Sequence, residues 1–425
     1  MTVPSDSPEP SGAPLPRQRP PNPDDVDTGP SASAQVVAAT GASASASLHS
    51  GLTWQQAADA VTEALGVHEP DLAVVFVDSR FAAHYEDVVK RIRQVTGARY
   101  LIGCSADGVI GPALEAEQTP AISVMTFSLP NVVMTPLALV GNADPAALFG
   151  SVEAAHAKAW LVFGDPFTTQ TERLITALEE RAPDAVIVGG MASAAGGAGR
   201  TGVFLGDRVY GDGAVLLGVG GEVEVHALVA QGAEPIGRPW TVTDCEANTI
   251  KTIGSRPAFE ILQETLAGLD EETRDRAQRN LLVGLAMDEY RHQYGRGDYL
   301  MRNIMGFDRE TGAIAISGLP RLGQTIQFQF RDAAAADQDL VTQLAAYKAR
   351  LDPDQVVLGA LLCSCNGRGR GLFGVPNHDA AALAEALGAV PTAGLFCNGE
   401  IGPVGGKTFL HGFTASIAFL TTPSK

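Results

Sequence analysis

The sequence contains no apolar run approaching the ~20 residues that a membrane-spanning helix needs. Its start has no basic segment leading into an apolar core, so no secretion signal is expected. Basic residues are scarce, with 30 Lys and Arg against 48 Asp and Glu and a formal net charge of −18. Nucleic acid and anionic membranes are held by basic faces, so neither is an expected partner. Cysteine is sparse as well. Five, an odd number scattered over 425 residues, do not form a disulfide framework, and a reduced cytoplasmic setting is expected. Large apolar residues are nearly missing from the first 50 positions, where PSDSPEPSGAPLPRQRPPNPDD is representative. With so little to offset the entropy of ordering, residues 1–50 are expected to be a disordered Pro/Ser/Ala-rich tail.

What is present beyond the tail is a repeating pattern. Trp54, Ala58, Val61 and Leu65 share one helical face, and Leu72 to Val77 reads as a buried strand. Tyr85, Val88, Val89, Ile92 and Val95 recur at helical spacing, and Tyr100 to Gly103 is a strand running into a Cys104–Asp107 turn. Paired strands follow at Ala121 to Leu129 and Val132 to Leu139. The order restarts at Trp160 and again at Val356, and a degenerate fourth copy is expected over Leu281 to Phe330. The expected fold is α/β: two domains with mixed sheets, built from repeated β-α-β-β-β-like units with flanking helices. A helical stretch from Pro257 to about Asn280 sets the expected boundary, giving domains over 51–253 and 254–425.

The chemistry-bearing residues gather at strand ends. Leu101 to Gly111 (LIGCSADGVIG) and Gly394 to Gly412 (GLFCNGEIGPVGGKTFLHG) share a strand, a cysteine and an acid in a glycine turn. Two segments match a dinucleotide-binding spacing. However, GAGRTG leads into a strand, and GRGLFG is separated from its helix by Val375, Pro376 and Asn377. Cys363-Ser-Cys365 lacks zinc-site spacing. No cofactor and no metal is expected. Arg302 and Asn303 stand in an apolar context, and Arg368 follows glycine-rich Asn366-Gly367. An arginine there either joins a buried ion pair, for instance Arg302 with Glu400 or Asp107, or grips a ligand carboxylate.

The combination of GCSADGVIG, GGMASAA, GDRVYGDGAVLLGV, YLMRNIMGFD, CNGRGRGLFG and GLFCNGEIGP with TFLHGFT resembles the FIST proteins. An N-terminal FIST half would cover about 70–250 and a C-terminal half about 257–405. The resemblance implies an intracellular sensory module that binds a small polar ligand, an amino acid among the options. A eukaryotic F-box protein of ubiquitin ligation carries the same region, yet the first 50 residues here do not read as an F-box bundle. Output is therefore expected through a separate signalling partner.

The expected ligand-binding residues are Cys104, Ser105, Asp107, Arg302, Asn303, Asn366, Arg368, Cys397, Asn398, Glu400 and His411. Arginine would hold a carboxylate and Glu400 an ammonium. No residue is assigned a catalytic role. A cysteine-dependent hydrolase or transferase using Cys and His411 is the alternative from another class, and a protein-interaction scaffold is a third.

Overall fold

The computed structural model of the chain describes residues 29–66, 69–141, 143–149 and 156–424. The first elements among the described residues are a hairpin, β1 (Ser31–Val37) with β2 (Ser43–Ser50), followed by α1 (Trp54–Leu65). Thr53 caps α1 through a reciprocal pair of bonds with Gln56, and Ala57, Ala58, Val61 and Leu65 form its buried face. A first unit then runs through β3 (Leu72–Asp78), α2 (Tyr85–Thr96) and β4 (Tyr100–Ala106). It continues with a small hairpin, β5 (Val109–Gly111) and β6 (Leu114–Ala116), then β7 (Ala121–Ser128) and β8 (Val132–Leu139).

After the single-turn α3 (Pro145–Leu148), a second unit keeps the same order. It comprises β9 (Ala159–Gly164), α4 (Thr171–Arg181), β10 (Val186–Met191), the hairpin β11 (Val203–Leu205) with β12 (Arg208–Tyr210), then β13 (Ala214–Gly221) and β14 (Glu224–Gln231).

An insertion follows: β15 (Ala233–Pro235), β16 (Trp240–Glu246), β17 (Thr249–Ile253), β18 (Arg256–Pro257), α5 (Ala258–Ala267) and α6 (Glu271–Arg279). Its remaining strands are β19 (Leu281–Ala286), β20 (Tyr299–Phe307), β21 (Ile314–Ile316) and β22 (Thr325–Arg331). The long α7 (Ala333–Arg350) leads to a third unit of β23 (Val357–Cys365), α8 (Gly369–Phe373), α9 (His378–Leu387) and β24 (Thr392–Cys397). The hairpin β25 (Glu400–Val404) with β26 (Lys407–His411), then β27 (Thr414–Thr421), completes it.

The three units interlock. In each, the two strands flanking the helix pair in parallel: β3 with β4, β9 with β10, β23 with β24. The hairpin after the second strand leaves its own sheet. Thus β5 pairs with β24, β11 with β4, and β25 with β10. The last strand of a unit also crosses over, β8 to β13 and β14 to β27. Among the described residues no such strand follows β27, and β2 fills the corresponding place beside β7. The sheets therefore share one plan and form a ring around a common core. In that core Phe76 of the first unit meets Phe163 of the second edge-on, ring centroids 5.3 Å apart.

The mixed α/β architecture expected from the repeats is present. Two expectations are corrected. Disorder through residue 50 is expected from the sequence, but Ser31–Val37 and Ser43–Ser50 form β1 and β2, while residues 1–28 lie outside the described residues. Small side chains hid these strands, since Ala44, Ala46 and Leu48 are buried and alternate with Ser45 and Ser47. Ring closure rewards such slight residues, because the strand has to pass close to Gly111, where a Cβ would come 2.5 Å from that of Leu48.

The segment from Leu281 to Phe330 is also no fourth copy. Its strands β19 and β20 are antiparallel with no helix between them. Following the pairings β22–β16–β17–β21–β20–β19 returns to β22, so the insertion closes into a small barrel with α5 and α6 packed on its apolar residues. Among the described residues no helix is long and apolar enough to cross a membrane.

Candidate functional site

The carboxyl ends of β23 and β24 open into a cleft of about 440 Å³ between the ring and the barrel. Ligands of open α/β sheets gather at such strand ends, and this volume suits a small molecule. β23 supplies Cys365 and leads to Asn366; β24 supplies Cys397 and leads to Asn398 and Gly399. The barrel contributes Met301, Arg302 and Asn303 from β20, with Ser317 after β21. Leu410 to Phe413 close one wall, and Phe167 with Glu172 of α4 close another. A larger groove of about 770 Å³ lies between β20 and α5–α6, but its Arg274 is engaged by the carbonyls of Leu266, Ala267 and Leu269.

Backbone geometry sets the floor. Gly399 adopts φ +133°, and a Cβ there would come 2.9 Å from Leu410 Cδ1, so the turn requires glycine. The turn is clamped to the end of β10 by Met191 N–H to Gly399 O, 2.8 Å, and Asn398 N–H to Met191 O, 3.1 Å. Across it, Asn366 Nδ2 donates to Asn398 Oδ1 at 2.7 Å.

Arg302 is the cation of the cleft. Its Nη1 donates to Met301 O (3.0 Å) and Leu410 O (3.4 Å), and its Nη2 to Leu410 O (3.4 Å). No carboxylate lies within ion-pair distance of it among the described residues, so neither Glu400 nor Asp107 is its partner. Burial lowers its pKa, with Glu172 acting in the opposite direction. Gly318 makes room for it, since a Cβ there would come 2.7 Å from Arg302 Nε.

His411 Nε2 lies 3.0 Å from Gly402 O, which accepts its proton and leaves Nδ1 as an acceptor. Burial, helped by the Arg302 charge, pushes its pKa down to about 4, so the ring is neutral at pH 7.

The thiols are held protonated. Burial and the neighbouring Glu400 push Cys365 up to about 12, and they raise Cys397 well above the usual thiol range. Glu400 sits beneath the floor, fully buried. Its Oε2 accepts from Thr414 N (3.0 Å) and Oγ1 (2.8 Å), and its Oε1 from Cys397 Sγ (3.4 Å). Burial pushes its pKa up to about 7.

Of the residues expected at the site, Arg302, Asn303, Asn366, Cys397, Asn398 and His411 line this cleft. The other five do not. Cys104 is sealed in the ring core. Ser105 Oγ is buried, donating to Ser193 O and accepting from Gly202 N. Asp107 is exposed on the first unit's turn, its N–H bonded to Ser193 Oγ at 2.7 Å. Arg368 is buried and bound to Asp379. Glu400 lies beneath the floor, so it is not placed to meet a ligand ammonium. Sequence reasoning missed Glu172, Phe167, Ser317 and Phe413, which come from separate elements and carry no local motif.

The family model described as FIST N domain matches residues 71–256, and FIST C domain matches 258–403. An uncharacterised protein of Mycobacterium tuberculosis is 36% identical over 365 residues, covering 85% of this chain and 94% of the relative. An uncharacterised protein of Mycobacterium bovis is 35% identical over 364 residues, with the same 85% and 94% coverage. An F-box/LRR-repeat protein of Arabidopsis thaliana is 41% identical over 71 residues, 16% of this chain and 13% of its own length.

Proposed function

The chain belongs to the FIST family, whose domains are generally sensory, ligand-binding modules of signalling proteins, and from that premise we propose that the cleft between ring and barrel is its sensory site. The ligand is a small molecule bearing a carboxylate, of amino-acid size. Arg302 carries this reading: a partly buried guanidinium on the cleft wall, held only by backbone carbonyls, is an anion receptor awaiting charge. Asn303, Asn366 and Asn398 offer amides to polar atoms of the ligand, and Phe167 and Phe413 offer apolar surface. The ammonium of a zwitterion finds its acceptors in Glu172 and the neutral His411 Nδ1, not in Glu400. A cytoplasmic partner protein reads the occupied state. The cysteine-hydrolase alternative lacks support here, because among the described residues no hydrogen bond joins His411 to Cys365 or Cys397.

The test is a thermal-shift and calorimetric panel of amino acids and small dicarboxylates on wild type and Arg302→Gln. Wild type should be stabilised by at least one of them. Losing the charge partner should weaken its binding by about 2–5 kcal/mol, well over tenfold. A wild type that responds to none, or an Arg302→Gln variant that binds equally well, would overturn the proposal.

A further inference from the structure

Cys365 and Cys397 are register partners on the parallel strands β23 and β24. Such partners lie about 4.8 Å apart and present their side chains on one face of the sheet. A disulfide spans roughly 4.4–6.8 Å between Cα atoms, so the pair is within bonding reach. Both residues line the cleft, and Cys365 is partly open to it. Cys363, on the same face of β23, is fully buried: a Cβ on the overlying Gly190 would come 3.2 Å from Cys397 Sγ and 3.4 Å from Cys363 Sγ. Cys365 is thus the member of the pair that is partly open to the cleft, with a second thiol beside it.

We propose that Cys365 and Cys397 are a redox pair that closes to a disulfide across the cleft floor by exchange with a low-molecular-weight disulfide. Cys365 gives its proton to solvent and attacks one sulfur of that molecule. The small S–S bond breaks, and the departing thiolate takes up a proton. Cys397 then passes its proton to Glu400 Oε1, 3.4 Å away, and attacks the Cys365 sulfur. The Cys365–Cys397 bond forms as the second small thiolate leaves and is protonated. The protein loses two electrons and two protons, and one small disulfide becomes two thiols. Thiol–disulfide exchange runs in both directions, so an excess of small dithiol reopens the bridge. The closed form is therefore reversible, and it ties down the turn that carries Asn398.

The experiment incubates the reduced, full-length protein with oxidised glutathione, then counts thiols under denaturing conditions and maps linked peptides by fragmentation between Cys363 and Cys365. Expected is the loss of two of the five thiols, a Cys365–Cys397 link, and recovery of all five with dithiothreitol. Cys365→Ser should abolish the link. Glu400→Gln should slow the second step, so that glutathione accumulates on Cys365. A Cys363–Cys397 link, or no loss of thiols at any glutathione ratio, would overturn the proposal. So would glutathione left unresolved on wild-type Cys365. No cleft ligand is needed for this readout, so its failure is distinct from that of the sensory reading.

Discussion

Arg368 grips Asp379 through two hydrogen bonds, Nε to Oδ2 at 2.7 Å and Nη2 to Oδ1 at 2.8 Å, with both side chains out of water. Ser364 Oγ adds a third bond to Asp379 Oδ2 at 2.8 Å, and His378 Nδ1 lies 3.0 Å from Oδ1. The pair joins the end of β23 to the start of α9, and it holds the Asp379 carboxyl well below the usual carboxylate range despite burial. Arg368→Ala would strand a buried carboxylate. Its expected cost is about 3–5 kcal/mol with no ligand present, measured by denaturant unfolding. Unchanged stability would show that the pair is not structural.

Glu400 makes stability depend on pH in a defined direction. Its folded pKa is raised to about 7 by burial, above the ordinary carboxylate value near 4.5. The folded state therefore binds the proton more tightly. The contribution is complete below about pH 4.5 and is lost as pH rises through about 7. Wild type minus Glu400→Gln should show a fall on the order of 2–3 kcal/mol between pH 5 and 8, read from unfolding curves at each pH. The difference between variants cancels the contribution of Glu115, which burial also raises to about 7. A flat difference would contradict the assignment.

Removing residues 1–50 should damage the fold, because β2 pairs with β7 along Ser43 to Ser50 and buries Leu48 in the ring core. Leu48 alone is worth about 1.5–3 kcal/mol on burial, and the truncation also leaves a long unpaired edge. The expected result is an aggregated product or a large drop in melting temperature. A truncated protein that melts like the full chain would show that β2 is dispensable.

Ser193 joins two units through one oxygen. Its Oγ accepts from Asp107 N–H at 2.7 Å and donates to Phe396 O at 2.6 Å. Ser193→Ala leaves the buried Phe396 carbonyl and the partly buried Asp107 N–H without that partner, so a loss of about 1–3 kcal/mol is expected by chemical denaturation.

How much of this was readable from the sequence depended on whether a feature was local. Val88, Val89 and Ile92 announce α2 by their spacing, and the all-apolar Leu72 to Val77 announces a doubly covered strand. The glycine turns at Gly108 and Gly399 were legible for the same reason, since both sit at φ near +130° (+127° and +133°) where only glycine is at ease. Partner choice was not local. Nothing near Arg368 marks Asp379 as its mate, and an arginine after glycines reads equally well as a ligand clamp. Nor do Ser43 to Ser50 look like a core strand, because their apolar content is small and their value comes from a gap left by the third unit. Glu172 entered the cleft from α4 only through the exchange of β25 onto β10.

That exchange governs how the chain can be made. Gln231 finds its strand partner at Thr414, and Val109 finds its own at Leu395. A polypeptide emerging amino end first must hold these strand edges open until nearly the whole chain has left the ribosome. Contacts of such long sequence separation slow folding and expose sticky intermediates. A fragment ending near residue 256 would carry β14 and the β5–β6 hairpin with nothing to dock on. The two matched regions are thus separate stretches of sequence whose strands complete each other's sheets.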